Sequence, residues 1–311
     1  MTPHRLAAAL FLSVLAFPAA AGAYPLPAAP KCPIFPRTNV WNKPVDSLPV
    51  ATNSDAVIAS IGADTGLHPD FGSGLWQGAP IGIPVTVVSR AQRKSRVRFE
   101  YAGESDRGPY PLPKAVAIEG GRQSDGDRHA IVVDKDTCVL YELFSLYPRA
   151  GSPPWRAGSG AIWSLRSNRL RPAGWTSADA AGLPILPGLA RYSEVRRGEI
   201  NHALRFTVSQ TQRAYLHPAR HYASSLTDPN LPPMGLRVRL KASFDISGFP
   251  RQARVVLRAL KRYGMIVADN GSDWFITGAP NRGWSNDQLR TLRQVTGSNF
   301  EVVDTSSLRN G

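Results

Sequence analysis

The stretch that decides the fold runs from residue 129 to residue 144 and reads HAIVVDKDTCVLYELF. Residues 129–134 are mostly apolar and β-branched, and residues 137–144 alternate between two kinds of side chain, so both segments predict strands. Lys135 and Asp136 lie between them and are typical turn residues. The stretch therefore predicts a β-hairpin.

Further strands are expected on both sides of this hairpin. They are residues 81–88, 96–101, 115–119, 160–165, 199–208, 213–217 and 236–246. The 27 Pro and 27 Gly residues are scattered without a period, which indicates many turns and therefore a strand-rich chain. A short helix is expected over residues 53–61, ending at Gly62.

The C-terminal segment has a different pattern. Its apolar residues from Ala253 to Leu260 recur at helical spacing and basic residues take the other face, so we expect an amphipathic helix that ends at Gly264. Strands at 265–270, 274–278 and 300–304 and a helix near 286–295 complete the segment. We predict a mainly β protein, with a β-sandwich or jelly-roll-like body over residues 37–247 and a small C-terminal α+β elaboration over 248–311. Residues 24–311 would form a single domain.

The composition excludes several classes of protein. Hydrophobic residues make up 42% of the chain, which is too many for a disordered tail. Lys and Arg number 37 against 23 Asp and Glu, which gives a formal net charge of +14. No stretch after the N-terminus is long enough to span a bilayer, so we predict no transmembrane segment.

The first 23 residues have the pattern of a signal peptide. His4 and Arg5 precede an apolar run over residues 6–17, and Ala21-Gly22-Ala23 is a small-residue cleavage site. An apolar run of about a dozen residues is shorter than the ~20 that a membrane anchor needs. We expect cleavage near Ala23 and a secreted or periplasmic protein. Removal of Arg5 leaves a charge of +14 − 1 = +13.

Cys32 and Cys138 are the two cysteines of the chain. An even number of cysteines in an exported protein favours a disulfide. Such a bond would hold the Pro-rich segment 24–36 against the predicted hairpin. Two free buried thiols are the alternative.

A loop before the hairpin carries the first candidates for catalysis. Glu119 and His129 would lie at the two ends of this loop, within reach of each other, and Asp127 lies next to them in sequence. A carboxylate beside an imidazole is suited to acid–base catalysis. Alternatively, Asp127 serves the turn and His129 caps a strand.

Glu142 is a further catalytic candidate. It interrupts the apolar row that Cys138, Leu140 and Phe144 form on one face of the hairpin. Apolar surroundings raise the pKa of a carboxyl group, as a general acid at neutral pH requires. An ion pair with one of the many arginines is the alternative.

Other polar and aromatic residues are candidates for substrate binding. Glu104, Asp106, His202, Arg220 and His221 would line the rim of a site, with Trp163 and Trp175 as exposed platforms for sugar rings. Arg237, Arg239 and Lys241 would form a basic stripe along one face of the strand at 236–246, at about 7 Å per step. A half-buried structural His202 and an ordinary solvated strand face are the alternatives.

The sequence lacks the motifs of several enzyme classes. It contains no HExxH, no CxxC pair, no P-loop and no GxGxxG after a strand. We therefore predict neither a metal nor a cofactor. Because export removes nucleic acid as a natural partner, the basic charge points to a polysaccharide, an acidic one included. We expect a monomer.

Six segments resemble a family of secreted bacterial proteins. They are ESDRGPYP from Glu104, IEGG from Ile118, GDRH from Gly126, LYE ending at Glu142, GWTSADAAGLP from Gly174 and ADNGS ending at Ser272. The resemblance covers nearly all of residues 24–311. It implies export and a single unit, and it assigns no catalytic residue.

The function hypothesis is a secreted carbohydrate-active enzyme. We favour a glycoside hydrolase that uses two carboxylates among Glu119, Asp127 and Glu142, with His129 orienting one of them. A polysaccharide lyase that acts on an acidic glycan through His202, Arg220 and His221 is an alternative. The other alternative is a non-catalytic protein that binds an acidic cell-envelope polymer on the basic stripe.

Overall fold

The computed structural model describes residues 22–151 and 154–308. The predicted signal peptide falls almost wholly on residues 1–21, outside the described residues, so its presence and cleavage stay predictions. Within the described ranges, no helix is both long enough and apolar enough to cross a membrane.

The described residues form short strands and four α-helices. The strands are β1 (His68–Asp70), β2 (Leu75–Trp76), β3 (Ala79–Pro80), β4 (Val85–Val88), β5 (Val97–Phe99), β6 (Ala130–Asp134), β7 (Val139–Phe144), β8 (Tyr147–Pro148), β9 (Trp155–Ala157), β10 (Ser159–Ser164), β11 (Leu204–Val208), β12 (Arg237–Leu240), β13 (Met265–Asn270), β14 (Phe275–Thr277) and β15 (Phe300–Val302). The helices are α1 (Ser54–Ile61), α2 (Tyr192–Arg197), α3 (Arg251–Arg262) and α4 (Asn286–Arg290).

The protein is mostly sheet with few helices, as the sequence predicts. The strands form a six-stranded sheet, a four-stranded sheet, a three-stranded sheet in the order β5-β9-β8 and the pair β2-β3. A sandwich or jelly-roll arrangement of these sheets stays a prediction.

The six-stranded sheet has the order β1-β14-β11-β13-β12-β15. Strands β1 and β14 pair in parallel, as do β11 and β13, and the other pairs are antiparallel. Three of its strands come from the C-terminal segment. Strand β13 is hydrogen-bonded between β11 and β12 in the middle of this sheet, so the C-terminal segment shares a sheet with strands from residues 37–247. The predicted boundary between a β body and a C-terminal α+β elaboration stays a prediction.

Helix α3 is amphipathic, as its apolar spacing predicts. Ala253, Val256 and Leu260 are completely buried and pack in the core of the six-stranded sheet. Just after the helix, Gly264 has φ of 65°, and a Cβ at this position would lie 2.2 Å from the carbonyl oxygen of Val238. Glycine is required here because the chain turns back against the sheet with no room for a side chain.

The predicted hairpin is present in the four-stranded sheet, whose order is β10-β7-β6-β4. Strands β6 and β7 are antiparallel, with Val132 opposite Tyr141. Strand β6 is buried at every position. Strand β4 pairs in parallel with β6, so both edges of β6 are occupied.

The predicted strand at 115–119 does not form. Strand β6 has β4 and β7 on its two edges, and no edge is left for a third partner. The segment instead turns at Pro113 and makes single bonds, such as the one from Glu119 N to His129 O at 2.9 Å. The strand predicted at 213–217 is also absent and leaves one bridge between Tyr215 and Met234.

The predicted disulfide between Cys32 and Cys138 is present. It attaches the Pro-rich segment to the start of β7. Leu26, Ala29 and Ile34 of this segment are buried in the core beneath the four-stranded sheet. The segment is therefore an integral layer of the protein, fixed covalently at one point.

Candidate functional site

A cavity of about 410 Å³ opens between the end of β13 and the ends of β7 and β10. Five of its lining side chains can carry charge, and they are Glu104, Asp127, Asp179, His221 and Asp269. These residues come from separate segments of the chain, so only the tertiary fold brings them together.

A β-bulge places Asp269 on the face that lines this cavity. Phe206 of β11 lies opposite Val267 of β13, but the next residue, Thr207, lies opposite Asp269, so Ala268 is an extra residue in β13. Because side chains alternate along a strand, the extra residue turns Asp269 to the same face as Arg205.

Arg205 binds the second aspartate of the cavity floor. Its guanidinium donates two hydrogen bonds to Asp179, from Nε at 3.0 Å and from Nη2 at 2.7 Å. It also donates to the hydroxyl of Thr277 at 2.7 Å and lies 4.0 Å from Asp269 Oδ2. Asp179 and Arg205 are buried, so this bidentate ion pair fixes a negative charge beneath the cavity.

Asp269 holds its proton more firmly than an ordinary aspartate. Burial and the adjacent Asp179 carboxylate raise the pKa of Asp269 well above its ordinary value, and Asp179 also shares a hydrogen bond with it. The side chain of Asp269 is 23% exposed, whereas that of Asp179 is fully buried. The cavity floor therefore presents a carboxyl group that takes up a proton more readily than an ordinary aspartate.

Glu104 is the carboxylate at the mouth of the cavity. Its Oε2 accepts a hydrogen bond from the amide of Thr176 at 3.1 Å and lies 3.8 Å from Nε2 of His221. His221 Nδ1 donates to the carbonyl of Ala180 at 2.8 Å, which directs Nε2 towards the carboxylate. The side chain of Glu104 is 40% exposed, so it is open to water and to a ligand.

Arg171 supports the loop that carries Glu104. It donates to Asp106 Oδ2 at 2.6 Å and to the backbone carbonyl of Glu104 at 2.7 Å. Its guanidinium also lies 5.6 Å from the ring of Trp163 and 5.5 Å from that of Trp175. The predicted residues Asp106, Trp163 and Trp175 thus surround Arg171, and Trp163 is buried where an exposed sugar platform was expected.

Glu119 and His129 are in contact, as the sequence predicts, but neither of them lines the cavity. Glu119 Oε2 lies 2.6 Å from His129 Nδ1, and His129 Nε2 lies 2.9 Å from the carbonyl oxygen of Ala178. Both ring nitrogens face acceptors, so both donate and the ring is an imidazolium. Burial opposes this charge, but the Glu119 carboxylate outweighs it and raises the pKa of His129 to about 9.

The ionised His129 makes stability depend on pH. Its pKa in the folded protein is about 9 against an ordinary value of 6.5, so its contribution is complete below pH 6.5 and is lost as pH rises to 9. We expect the free energy of unfolding to fall by about 2–3 kcal/mol across this interval. His129→Gln should flatten that slope in urea titrations at several pH values.

The matched control for this measurement is His68→Gln. Burial lowers the pKa of His68 below its ordinary value of 6.5, so this group contributes no rise in stability towards the lower end of the interval. The control should keep the slope of the unchanged protein. A His129→Gln protein that keeps it too would contradict the assignment of an imidazolium.

Glu142 lies in the core, away from the residues that line the cavity. Burial raises its pKa to about 7, although the backbone amides of Ile185 and Leu186 bind the carboxylate and oppose the shift. These amides donate at 2.9–3.0 Å. The raised pKa that the sequence predicts for Glu142 is confirmed. The carboxylate of Glu142 accepts its hydrogen bonds from amides at the start of the turn Leu186–Gly188.

The remaining polar candidates are spread over different places. Asp127 is exposed and lines the cavity. His202 is buried elsewhere, between the carbonyl of Ala203 at 2.8 Å and Glu194 at 3.2 Å. Arg220 donates to the backbone carbonyl of Arg171 at 2.9 Å, so it reinforces the support of the cavity rim.

The predicted basic stripe is not a surface feature. Arg237 is buried and donates to the backbone carbonyls of Tyr263, Val40 and Lys43. Arg239 donates to Glu301 at 2.7 Å and to two backbone carbonyls. Of these three residues, Lys241 alone makes its contact at the exposed surface, where its amine donates a hydrogen bond to the carbonyl of Ser298. The segment that follows Cys32 in the sequence covers the face of β12 that side-chain alternation assigns to solvent.

The sequence patterns missed Arg205, Asp179 and Asp269. Arg205 lies within an apolar run, LRFTV, where a charged residue is itself a signal. Asp179 and Asp269 lie in the segments GWTSADAAGLP and ADNGS, which carry the resemblance described above. In residues 22–151 and 154–308, no group of three or more His, Cys, Asp or Glu side chains could hold a metal ion.

Comparison with known proteins adds no relative. No family model, no curated protein and no solved structure matches this chain. The class of protein is therefore argued from the cavity alone.

Proposed function

We propose that this chain is a secreted glycoside hydrolase whose cavity holds a glycan. The observation that supports the proposal is Asp269, a carboxylic acid with a strongly raised pKa on the floor of an open cavity. Glu104 lines the same cavity, so the cavity carries the two carboxyl groups that glycoside hydrolysis requires.

Asp269 is the general acid in this proposal. Its proton moves to the glycosidic oxygen as the bond between that oxygen and the anomeric carbon breaks. The carboxylate that remains lies 4.0 Å from the guanidinium of Arg205, which stabilises the new negative charge. Asp179, bound by Arg205, keeps the proton on Asp269 before substrate arrives.

Glu104 is the second carboxylate in this proposal. It takes a proton from the water molecule that attacks the anomeric carbon, which completes hydrolysis. The Thr176 amide and His221 fix its orientation. Asp127, at the same cavity, contacts the sugar, and no side-chain hydrogen bond among the described residues fixes the orientation of its carboxylate.

Export is part of the proposal. The N-terminal pattern predicts a signal peptide, and the disulfide between Cys32 and Cys138 is suited to an oxidising compartment. The two alternatives from the sequence have less support. The lyase keeps His221 at the cavity but loses His202, which lies elsewhere. The polymer-binding stripe loses Arg237 and Arg239, which are buried.

The test is incubation of the protein from Tyr24 onward with a panel of neutral and acidic polysaccharides. We expect new reducing ends from at least one glycan. Glu104→Gln should lower kcat about 100-fold, since its amide cannot accept the proton of water. No release of reducing ends from any glycan would refute the proposed reaction.

Two further variants serve as controls for Glu104→Gln. Glu100→Gln removes an exposed carboxylate four residues earlier, outside the residues that line the cavity, and should leave kcat unchanged. Asp127→Asn should change kcat by no more than a few-fold. An Asp127→Asn protein as slow as Glu104→Gln would transfer the role of base to Asp127.

A further inference from the structure

A second concave surface, away from the cavity described above, is strongly basic. It is a groove of about 810 Å³ next to the starts of β5 and β9. Six of its lining residues are cationic, and they are Arg93, Lys94, Arg96, Lys114, Arg122 and Arg149. None of the described residues that line this groove is an Asp or a Glu.

Four of the cations of this basic groove, Arg93, Lys94, Arg96 and Arg122, form no ion pair with a carboxylate among the described residues. The amine of Lys94 donates to the hydroxyl of Tyr141 at 2.9 Å, and Arg122 donates to the backbone carbonyl of Lys114 at 2.5 Å. Both acceptors are uncharged. Arg93 and Arg96 are exposed and take part in none of the ion pairs among the described residues.

Several cations gathered without acidic partners raise the electrostatic potential of a concave surface and attract anions. Lys94 and Arg122 are held in place by neutral acceptors, so a ligand need not order these two side chains. The basic groove therefore has the charge of a binding site for an anionic chain, and part of that charge is already ordered.

The three-stranded sheet connects the basic groove with the cavity. Arg96 precedes β5, while Tyr101 and Glu104 follow it and line the cavity. Five residues of extended chain from Arg96 to Tyr101 span about 17 Å. A chain of linked sugars lying along β5 would reach both places.

Two more arginines lie along this path. Arg98 of β5 is directly opposite Arg156 of β9, and both are exposed. Arg156 stacks over the ring of Tyr147, with 4.4 Å from its guanidinium carbon to the ring centroid. Cations thus continue from the basic groove along the sheet towards the cavity mouth.

The lining of the basic groove favours a glycan over a nucleic acid. Proteins that hold single-stranded nucleic acids use exposed aromatic side chains on which the bases stack. The aromatic residue among the described lining of this groove is Trp155, and it is buried. The groove thus offers charge and hydrogen bonds and no stacking platform.

We infer that the basic groove binds an anionic polysaccharide, one that carries carboxylate or sulfate groups, and directs its chain towards the cavity. The binding site is independent of catalysis, while the role as a substrate subsite rests on the proposed glycoside hydrolase function. The anionic groups of the glycan pair with Arg93, Arg96 and Arg122.

The test measures binding in the Asp269→Asn protein, so that no turnover is needed. Dextran sulfate is titrated into the protein by calorimetry, with uncharged dextran as the comparison, at several salt concentrations. We expect dextran sulfate to bind, its affinity to fall as salt rises, and dextran to show no binding. The triple variant Arg93→Glu, Arg96→Glu, Arg122→Glu should lose at least about tenfold in affinity.

The matched control reverses three exposed arginines elsewhere. Arg251→Glu, Arg258→Glu and Arg282→Glu lie on α3 and before α4, and they change the net charge by the same amount. This control should keep at least about half of the affinity. An equal loss in both triple variants, or tighter binding of a single-stranded oligothymidylate than of dextran sulfate, would overturn the proposal.

The result is separable from that of the proposed reaction. If dextran sulfate binds as expected but no polysaccharide is cleaved, the basic groove stands and the hydrolase assignment falls. If glycans are cleaved but dextran sulfate binding does not depend on Arg93, Arg96 and Arg122, the hydrolase assignment stands and the basic groove falls.

Discussion

We expect Asp269→Asn to lower kcat for the proposed glycan cleavage by about 1,000-fold or more, because the leaving oxygen would then depart without a proton. This is the largest effect that we expect on turnover. A missing base can be replaced in part by Asp127 at the same cavity, whereas Asp269 supplies the proton itself. The measurement is the rate of reducing-end release at saturating glycan.

The substitution is designed to preserve the structure of the floor. Asparagine has the shape of aspartic acid, and its amide can still donate a hydrogen bond to Asp179. Circular dichroism and the midpoint of urea unfolding should therefore match the unchanged protein. Asp64→Asn, at an exposed position away from the cavity, is the matched control and should keep full activity. An Asp269→Asn protein with more than about a tenth of the activity would remove Asp269 from the role of acid.

The pH dependence of kcat provides an independent check. Asp269 must be protonated to act, so activity falls as pH rises through its raised pKa. An ordinary aspartate would place this descent near its usual value of 3.8. A descent well above that value supports the assignment, and a descent near 3.8 contradicts it.

Removal of the disulfide lowers the free energy of unfolding by about 4–5 kcal/mol. The two cysteines are 106 residues apart, so the bond restricts a long loop in the unfolded chain. The double variant Cys32→Ala, Cys138→Ala avoids a buried hydroxyl at either site. Its stability is measured by urea unfolding in the absence of reductant.

The same comparison can be made without any substitution. Reduction of the unchanged protein should lower the unfolding midpoint to that of the double variant, and reductant should have no effect on the variant. A double variant within about 1 kcal/mol of the oxidised protein would show that the segment around Cys32 is held by packing alone. Leu26 and Ile34 would then supply that packing.

Local pattern was enough for the elements whose own sequence has a clear periodicity. The hairpin of β6 and β7, the helix α3 and the strand β13 agree with their predicted positions because alternation and helical spacing are properties of single segments. Strand β1 was missed. It has three residues, HPD, and is a strand only because β14, some 200 residues later, pairs with it.

The candidate site shows the same limit. Contact between Glu119 and His129 was predictable, since one loop joins them. The burial of Arg237 and Arg239 was not, because the covering carbonyls of Val40 and Val45 come from the opposite end of the chain. Alternation identifies two faces of a strand, but only the tertiary fold decides which face water reaches.

The bulge in β13 has a consequence for how such a site arises and is lost. One residue, Ala268, decides whether Asp269 faces the cavity or the opposite side of the sheet. Deletion of the single codon for Ala268 would therefore turn Asp269 away from the cavity floor, although Asp179, Arg205 and Asp269 would all still be present in the sequence. Among related chains, an alignment gap at this position would distinguish members with the proposed activity from members without it more sharply than any substitution. A shared aspartate would not be sufficient evidence of that activity.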